Sequence, residues 1–220
     1  MKKIIITILI ALVGFTAVAQ ENVFNKTKSF LKLFQYTISV GYGSTVSNDP
    51  FDTPGLTLNA GLDIQRDFMS IKEGKYNTYG LLGVHYTSKG GKLGSSVDDW
   101  MSSGNKFLVS QFTVPIHVGF KFNFKKSYLF VDAGPYLSFN RGTSISEGYG
   151  RDYYVIDPYP VESGVGINMG ICFKKFGLSA GIDKGLTNLA KYIEDEDRPE
   201  EYTNLKSMAA YLRLQWTFNR

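Results

Sequence analysis

His85 and His117 are the only histidines in this 220-residue chain. With Asp63, Asp132 and Asp183 they could supply zinc ligands, or the base and acid of a hydrolase. Ser110 and Ser138 offer hydroxyl nucleophiles, and Lys121 and Arg213 offer fixed cations. The spacing supports neither chemistry. No His-x-x-x-His or Cys/His ligand pattern occurs, and no close spacing singles out a triad. Cys172 is the only cysteine, so no internal disulfide can form. No cofactor motif is present. Catalytic groups on a sheet meet across strands, so a membrane-lipid enzyme remains a third reading behind two non-enzymatic ones.

The elements that carry these residues alternate with a period of two, as strands do. In FTVPIHVGFKFNF, residues 112–124, the apolar set is Phe112, Val114, Ile116, Val118, Phe120, Phe122 and Phe124. The other face holds Pro115, His117 and Lys121. Eight such segments are expected, at about 33–45, 55–68, 77–89, 106–124, 127–140, 161–174, 176–187 and 206–218. Their second faces place Asp63, His85, His117, Lys121, Asp132, Asp183 and Arg213 together. A soluble sandwich would also alternate, so two further features decide.

The connections alternate in length. Long links fall at about 46–54, 90–105, 141–160 and 188–204, and tight turns at Lys125-Lys126 and Lys174-Lys175. Long loops on one rim and short turns on the other characterise outer-membrane barrels. The strands also reach the roughly 9–11 residues that a tilted spanning strand needs. In lipid the sheet must close, so the eighth strand is expected to pair with the first. The fold class is therefore all-β: an eight-stranded antiparallel transmembrane β-barrel with short periplasmic turns and long extracellular loops. Tyr36, Tyr42, Tyr86, Tyr128, Tyr136, Tyr211 and Trp216 fall near strand ends, as interface girdles would; ordinary strand composition explains them as well. Pro115 has no N–H to give to a ladder, and a closed barrel has no edge to hide it, so a break in pairing is expected there.

The ends of the chain agree with this compartment. Lys2 and Lys3, the apolar run Ile4 to Val18 and Ala17-Val18-Ala19 form a secretory signal, with 1–19 removed. Residues 20–32 then form a periplasmic segment and 33–220 the barrel. Loss of Lys2 and Lys3 lowers the formal charge from +4 to +2, too little for a nucleic-acid partner. The alternating end Tyr211–Phe218 looks like the signal read by barrel-assembly machinery.

FTVPIHVGFKF, YLFVDAGPYLSF and GVGINMGICFKKFGLSAGIDKGLTNL resemble the outer-membrane β-barrel family common in Bacteroidetes, called porin-like or PorT-like. The matching features are Pro115, Ala133-Gly134-Pro135-Tyr136, Gly164 to Gly170 and Gly185-Leu186-Thr187-Asn188, across about 107–190. Arg213 stands where a glycine is usual, and Asn219-Arg220 follow the last Phe. The resemblance implies an outer-membrane barrel and supplies no catalytic residues.

Three polar groups remain as candidate sites. The lumen set Asp63, His117, Lys121, Asp132, Asp183 and Arg213 would line a pore or ligand site, or fill a narrow barrel with paired charges; the narrow interior of eight strands favours the second. Lys121 is expected to pair with an acid such as Asp132. Tyr149, Arg151, Tyr153, Tyr154 and Tyr159 have the composition of a recognition surface, or else fold over the mouth. Glu194 to Glu201 carries six carboxylates in eight residues, without calcium-loop order, and reads as a solvated loop. The expected partners are outer-membrane lipid and lipopolysaccharide, the assembly machinery, and an extracellular ligand of unknown kind. No metal or cofactor is expected.

Overall fold

The computed structural model describes residues 33–47, 53–92, 106–146, 155–193 and 202–218. The expected signal peptide, the segment 20–32 and the acidic run 194–201 lie outside the described residues.

Alternation builds the wall. The strands are β1 (Gln35–Ser47), β2 (Thr53–Ile71), β3 (Tyr76–Lys92), β4 (Lys106–Asn123), β5 (Ser127–Ser146), β6 (Val155–Pro158), β7 (Val161–Phe173), β8 (Phe176–Gly185), β9 (Ala190–Ile193), β10 (Tyr202–Leu205) and β11 (Ser207–Phe218). Eight of them close an antiparallel barrel in the order β1-β11-β8-β7-β5-β4-β3-β2. The closing seam runs from Tyr36 opposite Phe218 to Ser47 opposite Ser207. The first and last spanning strands therefore pair, as a sheet without edges requires.

The burial pattern is inverted relative to a water-soluble protein. Val118 and Phe120 are 58% and 61% exposed, whereas Asp132 and Lys121 are 2% and 3% exposed. Apolar side chains clothe the outside and polar ones fill the inside, which is stable only with lipid around the wall. Exposed Phe and Trp side chains gather beside the short turns. Phe176 packs edge-on to Trp216 at 4.4 Å, and Phe122 to Phe124 at 4.8 Å.

Three features differ from the sequence reading. Tyr128, Tyr136 and Tyr211 are not girdle residues; they are 5%, 4% and 4% exposed and point into the lumen. Parity explains it: Tyr128 and Tyr136 share the face of Asp132, and Tyr211 shares that of Arg213. Second, strands β2, β3 and β5 run beyond the expected ends, whereas β4 keeps the expected start at Lys106. Strands β2 to β5 contain 19, 17, 18 and 20 residues, more than a bilayer needs, so the wall is tall on that side. Arg141 to Ser146 is strand, although its polar sequence carries no apolar face to announce it. Third, the long links after β5 and β8 contain the short strands β6, β9 and β10, which form a separate three-stranded sheet.

That small sheet sits at the mouth opposite the tight turns. Leu189, Ala190 and Leu205 pack against Phe107 and Val109, which β4 turns inward, and all five are at most 2% exposed. This is the one apolar core among the described residues, and it caps the extracellular end.

The ladder is interrupted at Pro115. Pairing passes from Leu82–Ile116 to His85–Thr113 on one side. It passes from Pro115–Tyr136 to Val118–Ala133 on the other, where the unpaired Ile116 and His117 face Pro135 and Gly134. The register is the same across both gaps. A residue without an N–H costs ladder bonds, but the wall on either side holds the alignment.

Candidate functional site: the packed lumen

Period two sends one residue in two inward, and the closed wall brings inward residues of all eight strands together. All six expected lumen residues are buried: Asp63, His117, Lys121, Asp132, Asp183 and Arg213. They form three tiers.

At the tight-turn end, Lys121 Nζ donates to Asp67 Oδ1 at 2.6 Å and to Gln35 Oε1 at 2.9 Å. Its ammonium also lies 4.7 Å from the Tyr79 ring centroid. The expected Lys121–Asp132 pair does not form. Asp132 stands opposite Gly119, two residues short of Lys121, and other groups occupy it.

In the middle tier, His117 Nδ1 pairs with Asp132 Oδ1 at 2.7 Å, and Tyr79 Oη donates to Asp132 Oδ2 at 2.7 Å. His85 Nε2 pairs with Asp63 Oδ1, also at 2.7 Å. Tyr211 Oη donates to Asp183 Oδ1 at 2.9 Å, and the Arg213 guanidinium stacks 4.1 Å from the Tyr211 ring centroid. The two histidines thus serve separate carboxylates. Small residues make room for this layer. A Cβ on Gly119 would lie 2.6 Å from the Tyr79 ring and 2.7 Å from Asp132 Cβ. The cavity left among these groups measures about 30 Å³. That is enough for a water or two and nothing larger.

The third tier lies under the cap. Lys89 Nζ donates to both oxygens of Glu162 at 3.1 Å, with the two side chains 1% and 0% exposed. Glu162 also accepts from Gln111 Nε2 at 2.6 Å, Ser207 Oγ at 2.7 Å and Tyr136 Oη at 3.2 Å. A buried ion pair is tolerable only with such added hydrogen bonds. Gln111 Nε2 also donates to Asn140 Oδ1 at 2.7 Å. Asn140 Nδ2 in turn bonds the carbonyls of Tyr159 and Leu189 in the cap. The plug and the cap are therefore one connected network.

Lys89 and Glu162 belong to none of the sites expected from the sequence. Parity alone was the available signal: Lys89 follows His85 and Thr87 inward, and Glu162 shares the face of Asn168. Ser138 is hydrogen-bonded to Thr113 at 2.8 Å, and Ser110 accepts from Tyr86 at 3.0 Å. Neither bonds a histidine. Among the described residues no three His, Cys, Asp or Glu side chains converge on a metal position. Of the aromatic loop, Tyr149, Arg151, Tyr153 and Tyr154 lie outside the described residues. Tyr159 is part of the cap, with its hydroxyl 2.9 Å from Asn204 Oδ1.

A closed eight-stranded barrel with an apolar exterior, a polar packed interior, tight turns on one rim and long loops on the other is an outer-membrane β-barrel. The model of the outer membrane protein beta-barrel domain family matches residues 11–191, and the chain belongs to that family. Its place is the bacterial outer membrane. No curated protein matches the chain. Among solved structures it is similar to the outer membrane protein OprG from Pseudomonas aeruginosa, at 8% identity, with 84% of this chain and 95% of that one covered and a TM-score of 0.48. It is similar to Ail, the attachment invasion locus protein of Yersinia pestis, solved with the heparin analogue sucrose octasulfate, at 14% identity, 84% and 99% coverage and a TM-score of 0.41. The outer membrane enzyme PagL is similar at 13% identity, 80% and 97% coverage and a TM-score of 0.42.

Proposed function

We propose that this barrel is a non-enzymatic envelope protein that acts structurally or binds a surface ligand through its extracellular loops. The observation that carries the reading is the Lys89–Glu162 plug, hydrogen-bonded on to the cap above it. A barrel whose lumen is filled and capped has its loops and its lipid face left as working surfaces. The aromatic segment with Tyr149, Arg151, Tyr153, Tyr154 and Tyr159 is the proposed contact region. Lipopolysaccharide and the barrel-assembly machinery are its proposed partners in the membrane. The Bacteroidetes porin-like or PorT-like resemblance fits the same reading, as does cleavage after Ala19 to leave a short periplasmic segment before the barrel.

Two other readings stand behind it. A narrow porin, or a transport or secretion accessory protein, would need the plug to move. A lipid-modifying enzyme would need its acid and base at the lipid face or rim, whereas the His–Asp pairs here lie inside the wall. The test is a deletion strain complemented with the intact gene or with one lacking loop segments 147–154 and 194–201. The proposal expects altered detergent resistance or surface adhesion, and an unchanged lipid A acyl pattern. A changed acyl pattern restored by the intact gene would sink it in favour of the enzyme.

A further inference from the structure

The tight-turn rim has a composition that the lumen does not explain. Its three turns, 72–75, 124–126 and 174–175, carry Lys72, Lys75, Lys125, Lys126, Lys174 and Lys175 against one carboxylate, Glu73. All six lysines are exposed. Among the described residues none of Lys72, Lys75, Lys125, Lys126 and Lys175 makes an ion pair; the four pairs present lie elsewhere.

The turns are neighbours, because β2, β3, β4, β5, β7 and β8 are consecutive in the barrel. Backbone bonds stitch them side by side. Asn123 N donates to Lys75 O at 2.8 Å, Lys174 N to Lys126 O at 2.9 Å, and Thr217 N to Lys175 O at 2.8 Å. The lysines thus form one continuous arc. Beneath it lie exposed or half-exposed aromatics. Lys75 Nζ is 5.7 Å from the ring centroids of both Tyr76 and Phe122, and Lys174 Nζ is 5.6 Å from that of Phe173. Such rings sit at headgroup depth, so the ammonium groups above them lie at the level of lipid phosphates.

The backbone adds a second observation. Lys72, Glu73 and Lys174 have φ of 53°, 56° and 52°. Glycine or asparagine adopts this left-handed conformation at less cost. A sequence selected only for tight turning would place Asn or Gly there. Lysine at positions 72 and 174 trades turn stability for charge.

We infer that this arc is a binding collar for the phosphates of anionic phospholipid in the periplasmic leaflet. Lysine ammonium groups suit it as rotatable donors to phosphate oxygens. The collar would fix the depth and tilt of the barrel from the side opposite its loops.

The test uses the full-length mature protein in nanodiscs made from equal parts of phosphatidylethanolamine and phosphatidylglycerol. Lipids retained on the protein are counted by native mass spectrometry. Phosphatidylglycerol is expected to be enriched about fivefold, the factor for a single well-placed lysine at an anionic surface. The enrichment should fall to parity in high salt and in the variant with all six lysines changed to Gln. No enrichment in the wild type, or enrichment unchanged in the six-lysine variant, would overturn the proposal. If that variant does not fold, the wild type in salt decides, since enrichment indifferent to salt excludes a charged collar. A parallel series with lipid A separates the two phosphate sources. Lipid A bound through these six lysines as strongly as phosphatidylglycerol would contradict the assignment to phospholipid.

Discussion

Glu162 accepts hydrogen bonds from four side chains, Lys89, Gln111, Tyr136 and Ser207, with its own side chain fully buried. The charge is held there by its partners, so the cost of removing one is asymmetric. Lys89→Ala should destabilise the barrel by about 3–5 kcal/mol, because it leaves an unpaired buried carboxylate. The double change Lys89→Met with Glu162→Leu should cost far less, since it removes both charges at similar volume. Urea unfolding in lipid vesicles, followed by the loss of heat-modifiable gel migration, reads both. Tyr79→Phe should cost about 1.5–3 kcal/mol in the same assay through the lost bond to Asp132. Gly119→Ala should cost about 1–3 kcal/mol by overpacking, because its new methyl meets Tyr79 and Asp132. At this scale the sequence was partly readable. Parity marks which side chains enter the lumen, and it marks Lys89, Glu162 and Tyr136 as well as the six residues first singled out. It does not give partners. Lys121 meets Asp67 of β2 and not Asp132 of the adjacent β5, because contacts inside a narrow barrel cross the lumen and depend on strand height.

Among the elements, β4 carries the most contrast. One face is lipid-exposed from Phe112 to Phe124, and the other holds Pro115 between Thr113 and His117. The interruption predicted from Pro115 is present on both sides without a register shift. Successive residues turn their N–H groups to opposite neighbours, so one amide of each pair Gly83/Val84 and Ile116/His117 faces the gap and should exchange about tenfold faster than those of His85 and Val118, the effect of one missing ladder bond. Hydrogen exchange in nanodiscs tests this; uniform protection along β4 would contradict it. On the outer face, Val118→Arg should cost about 2–4 kcal/mol if it lies near the bilayer midplane. Strand existence and parity were legible because lipid enforces an apolar residue at every second position. The extra length of β2, β3 and β5 and the short strands β6, β9 and β10 were not. Above the membrane a strand has no lipid to face, so its sequence loses the period.

For the whole molecule, closure follows from the absence of water in the bilayer, and eight strands set the diameter. Short turns and long loops gave the orientation. The cap could not be read, because its apolar cluster draws Leu189, Ala190 and Leu205 from a link that lacks periodicity and pairs them with two inward residues of β4. The consequence, among the described residues, is a barrel whose axis is filled by polar side chains beneath an apolar cap. Its middle cavity is about 30 Å³, and the Lys89–Glu162 plug and the cap lie above it. The most direct measurement of this closure is single-channel recording of the purified, refolded barrel in planar bilayers. The packed lumen predicts no discrete conductance steps from the wild type. Stable, ion-selective openings from the wild type, with the same protein still heat-modifiable, would contradict it.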